Sequence, residues 1–91
     1  FYAAVVRKDK EGKPEEGYLK QNALTRSEAL MGMTVWNAVA AFEDTYKGTI
    51  QVGKVADFVM LDRDLMKCDE LKILDTKVEL TVLEGEIVFV R

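Results

Sequence analysis

"GTIQVGKVADFVML", Gly48–Leu61, decides how this chain folds. Two glycines bracket a short apolar piece, Lys54 follows the second, and Asp57 abuts the uninterrupted apolar run Phe58–Leu61. Gly48 suits a helix C-cap or left-handed position, and Gly53 suits a tight turn ahead of a strand. Four apolar residues in a row, bounded by Asp57 and Asp62, predict a short strand that needs cover on both faces. Asp57 then has two readings. It is a catalytic carboxylate presented by a buried strand, or it accepts from nearby backbone N–H groups, or from Lys54, and fixes the start of the strand. Catalysis needs a partner base or a metal, and no convincing partner stands near it in the sequence. Gly48, Gly53, Lys54 and Asp57 therefore read as a structural turn. The stretch does not fit a phosphate-cradling loop either, because Val55 stands where Ser or Thr is required.

Upstream, "LTRSEALMGMTVWNAVAAF" carries the strongest local signal. Thr25 and Glu28 form T-x-x-E, a capping box, so a helix should start near Arg26. Ala29, Leu30, Met33 and Trp36 or Asn37 follow at helical spacing. Thr34 and Val35 are weak helix formers and Asn37 is a good N-cap, which predicts two helices or one bent near Val35–Asn37. The Met and Trp stripe reads as core. "FYAAVVR" at the start is ambiguous between strand and helix, and "KDKEGKPEEG" is a solvated loop. Asp9, Glu11 and Glu15 in that loop miss the alternating ligand pattern of a calcium loop.

Downstream, "RDLMKCDELKILD" reads as loop with one helical turn from Asp69. "KVELTVLEGEIVFVR" reads as a β-hairpin turning at Glu84-Gly85. The remaining candidate acids are Asp62, Asp64, Asp69 and Glu84. Asp62 and Asp64, two apart, would point to one side of an extended chain and could form half of a metal site. The plainer reading is a solvated loop after a strand.

Composition removes whole classes of function. Ninety-one residues hold one domain at most, with a thin core. The chain has no histidine, which excludes Ser–His and Cys–His nucleophilic machinery and a His-type zinc site within it. Cys68, the single cysteine, reads as a plain small residue. Net charge is −3 with the signs interspersed, so no basic stripe exists to neutralise nucleic-acid phosphates. No apolar run approaches the ~20 residues that span a bilayer. No nucleic-acid or membrane partner is expected, and the expected location is cytoplasmic. The chain opens on Phe1 inside an apolar segment, which reads as a fragment or a processed chain.

Taken together, these residues resemble the carboxyl-terminal end of metal-dependent amidohydrolases. Thr25, Glu28, Ala29 and Leu30 match that family's capped helix, and Thr34, Ala38 and Ala40 its next segment. Gly48, Ile50, Gly53, Lys54, Ala56 and Asp57 match its specific G-x-I-x-x-G-K-x-A-D element. "TVLEGEIVFV" looks like its closing hairpin. "FYAAVVRKDKEGKP" resembles the branch that includes the N-substituted formamide deformylase-like proteins.

The resemblance implies an α+β fold: the last helices of a (β/α)8 barrel (1–46), followed by the carboxyl-terminal strands of the accompanying small β-sandwich (47–91). It implies that the chain is the non-catalytic, structural portion of a hydrolase cleaving non-peptide carbon–nitrogen bonds, inactive alone. The parent's divalent metal, zinc by this reading, and its ligands would lie elsewhere. No catalytic or metal-binding residue is then expected here, only the structural turn and the Thr25–Glu28 cap. The expected partners are the remainder of the parent chain and, for the chain alone, a second copy. The alternative is a stand-alone binding or oligomerisation module without catalysis.

Overall fold

The computed structural model describes residues 1–91 as a small α+β structure with one three-stranded antiparallel sheet. The ambiguous opening is a helix, α1 (Tyr2–Val6), ended by Arg7 in a left-handed conformation. The loop after it is built from local turns. The Asp9 carboxylate accepts from the N–H groups of Glu11 and Lys13, both at 2.9 Å. A short 3₁₀ turn, Lys20–Asn22, leads into α2 (Arg26–Met33). The Lys20 ammonium reaches back to the Val5 and Val6 carbonyls and satisfies the end of α1.

α2 ends and α3 (Val35–Ala40) begins at Thr34, three residues before the Asn37 predicted to cap the second helix. Thr34 lies outside the helical region at φ −129°, ψ −88°. Its hydroxyl donates back to the Leu30 carbonyl at 2.8 Å, a local bond that competes with helix continuation. Asn37 is therefore inside α3, not at its head.

β1 (Phe58–Leu61) pairs antiparallel with β2 (Val78–Leu83), and β2 with β3 (Glu86–Val90), giving the order β1-β2-β3. The β2–β3 hairpin turns on Glu84 and Gly85, both with positive φ (49° and 80°), as a tight two-residue hairpin turn requires. α4 (Glu70–Ile73) sits in the crossover between β1 and β2, with Asp69 as its N-cap.

The core is small and lies among the helices. Val5 and Val6 of α1, Ala29 of α2 and Ile73 of α4 are buried together, with Phe1, Tyr2, Leu65 and Cys68 packed around them. The sheet is different. Register places Phe58, Val82 and Ile87 in one row on one face, and Val59, Thr81 and Phe89 in a row on the other. Both faces are apolar, yet of all three strands only Val82 is buried. Two expectations are corrected here. β1 forms where predicted but lacks cover on its faces, with Val59 and Met60 each 53% exposed. The Met33 and Trp36 stripe is likewise exposed rather than core. The total accessible surface is 6768 Å². That is roughly a quarter more than a folded monomer of this mass exposes.

Candidate functional site

The stretch around Gly48–Asp57 is organised by two side chains that point in opposite directions. The Lys54 ammonium turns back toward the end of the helical half. It donates to the Asp44 carbonyl and the Thr49 hydroxyl, both at 2.8 Å, and to the Lys47 carbonyl at 3.4 Å. Thr49 in turn donates to Gln51 at 2.7 Å. Gly48 lets this loop lie against α3. Its φ is +100°, and a Cβ there would stand 2.9 Å from the Ala38 Cβ and 3.2 Å from the Val35 Cα. Gly53 occupies an open turn with no atom close to where a Cβ would point.

Asp57 turns toward the hairpin. Its carboxylate accepts from the Glu84 N–H at 2.7 Å, while the neighbouring Ala56 carbonyl accepts from the Gly85 N–H at 3.0 Å. Residues 56 and 57 thus hold both amides of the hairpin turn. Of the two structural roles read for Asp57, acceptance from backbone N–H is the one seen. The donor lies 27 residues away and not in the adjacent turn. Lys54 is not its partner.

Three of the other candidate acids are spent in similar ways, while the Glu84 carboxylate stands exposed on the hairpin turn with no hydrogen-bond partner. Asp62 accepts from Arg63 at 2.9 and 3.0 Å and from the Lys77 N–H at 3.0 Å. These partners, the Arg63 guanidinium first and the Lys77 amide second, lower its pKa to about 2. Asp64 accepts from the Met66 N–H and Asp69 from the Leu71 N–H, each at 2.8 Å. Asp62 and Asp64 therefore answer to different partners. No group of three or more His, Cys, Asp or Glu side chains could hold a metal ion. With histidine absent and Asp57, Asp62, Asp64 and Asp69 each accepting from an amide or a guanidinium group, these residues do not fit a divalent metal.

The capping box is formed. The Thr25 hydroxyl accepts from the Glu28 N–H at 3.1 Å, and the Glu28 carboxylate accepts from the Thr25 N–H at 2.9 Å. That returned bond lowers the Glu28 pKa.

Some connecting residues carried no signal in the sequence. Arg26 donates to the Leu65 and Cys68 carbonyls at 2.9 and 2.6 Å, fastening α2 to the crossover loop. Arg91 joins Glu79 at 2.6 Å and closes the end of β3 onto β2. The Arg26 pairs span 39 and 42 residues, and no local pattern announces such a distance.

What the molecule offers at its surface is apolar. An open cleft of about 970 Å³ runs between α2, α3 and the sheet, bordered by Leu30, Val35, Ile50, Phe58 and Val82. A second, of about 770 Å³, opens on the other side of Leu30 and Met33 toward α1, Ile73 and Val78. Asp57 reaches the rim of the first, where Glu43 and Lys47 also lie, paired at 2.9 Å. No helix is long and apolar enough to cross a membrane.

Comparison with known proteins places the chain in a family. A family model described as "Amidohydrolase family" matches residues 1–89. The chain is 31% identical over 91 residues to the N-substituted formamide deformylase of Arthrobacter pascens. All of this chain is covered, but it spans only 16% of that relative's length. No solved structure matches it.

Proposed function

The chain belongs to the amidohydrolase family, and on that footing we propose that it is the carboxyl-terminal, non-catalytic portion of a metal-dependent hydrolase acting on non-peptide carbon–nitrogen bonds. Residues 1–46 are the last helical segment of a (β/α)8 barrel domain, and residues 47–91 are the closing strands of a small β-sandwich that accompanies it. The chain's work is structural: it supports the barrel, and the parent's divalent metal and catalytic residues lie outside it.

One observation carries this reading. The molecule has a well-satisfied polar framework around Asp57, Lys54 and Asp62, yet its sheet is apolar on both faces and open. Apolar surface of this extent is stable when another layer buries it. The remainder of the parent chain is that layer. When the 91 residues stand alone, a second copy takes its place.

Two experiments test the proposal. The reading frame immediately upstream of Phe1 should encode a His-x-His pair near its start and an Asp shortly before Phe1; a stop codon in that position would overturn it. Amide hydrolysis and titrations of zinc, manganese and magnesium on the isolated chain should show no turnover and no specific site. Turnover, or a micromolar site, would contradict the non-catalytic reading.

A further inference from the structure

We draw no further inference here: the strongest candidate, the open apolar cleft between α2, α3 and the sheet bordered by Leu30, Phe58 and Val82, belongs to the surface already assigned to the parent chain, and nothing in the structure shows what else covers it.

Discussion

The helical half and the sheet solve the same problem differently. α1, α2 and α4 bury Val5, Val6, Ala29 and Ile73 against one another and need no outside help for that small core. The sheet meets its backbone needs through two antiparallel ladders and the Asp57 clasp, but it leaves Ile87 63% and Val88 56% exposed. Hydrogen bonding therefore defines the shape of the sheet, while most of its apolar surface stays uncovered within the 91 residues. An element can be fully specified in register and still be incomplete in energy. Net hydrogen-bond stabilisation is about 1 kcal/mol per bond, whereas burying one large apolar side chain contributes about 2–3 kcal/mol.

The largest effect should come from breaking the half that is self-sufficient. Ile73→Ala removes the side chain that joins the crossover to α1 and α2, and should destabilise the chain by about 3 kcal/mol. Urea unfolding followed by circular dichroism measures it. If the loss stays below that of an exposed-face change such as Leu71→Ala, the helical core is not where the stability resides.

Next comes the joint between the halves. Gly48→Ala places a Cβ against Ala38 at a backbone angle that side chains rarely adopt, and should cost about 2 kcal/mol. Gly53→Ala, with nothing nearby, meets no such contact. Equal losses in the two variants would mean that close packing on α3 is unimportant.

On the sheet side, Asp57→Ala should cost about 1 kcal/mol by freeing the Glu84 amide. Asp57→Asn keeps an acceptor oxygen and should recover most of it. Should Asn lose as much as Ala, and Lys54→Gln match both, a Lys54 pairing would have to replace the hairpin clasp.

These residues also mark how far the sequence can be read. The Thr25–Glu28 box spans three residues, and its geometry follows from local backbone rules alone. The Glu84-Gly85 turn and the strands beside it are legible for the same reason. Asp57 is only half legible: its chemistry points to an amide acceptor, but the amide belongs to a turn that arrives only after α4 and β2 have formed. The helix break falls at Thr34, whose hydroxyl reaches the Leu30 carbonyl and beside which Gly48 packs, a tertiary contact that helix propensities do not contain. The exposure of Met33, Trp36 and β1 was not legible in the local apolar pattern, and only the resemblance, with its expected partner chain or second copy, pointed to it. An apolar pattern states that a surface is to be buried, not which chain buries it.

A smaller effect is expected in acid. The folded pKa of Asp62, about 2, lies below its ordinary value of 3.8. Its contribution is therefore present in full above that ordinary value and is lost as pH falls through about 2. Solvent screening keeps it modest. Acid titration of the backbone amide signal of Lys77 should move over this window in the native chain and not in Asp62→Asn. A Lys77 signal that ignores acid would separate Asp62 from the start of β2.

The smallest change in folding, and the largest in behaviour, should come from the open sheet. Met60→Lys and Val88→Lys alter exposed positions, so each should shift stability by about 0.5 kcal/mol or less. Sedimentation equilibrium of the native chain and of the double variant tests the unmet apolar surface most directly. The native chain should show a mass above that of the monomer that rises with concentration, and the double variant should move toward the monomer while keeping its circular dichroism spectrum. A native chain that stays monomeric at every concentration and binds no hydrophobic dye would contradict the view that this sheet is built to be covered.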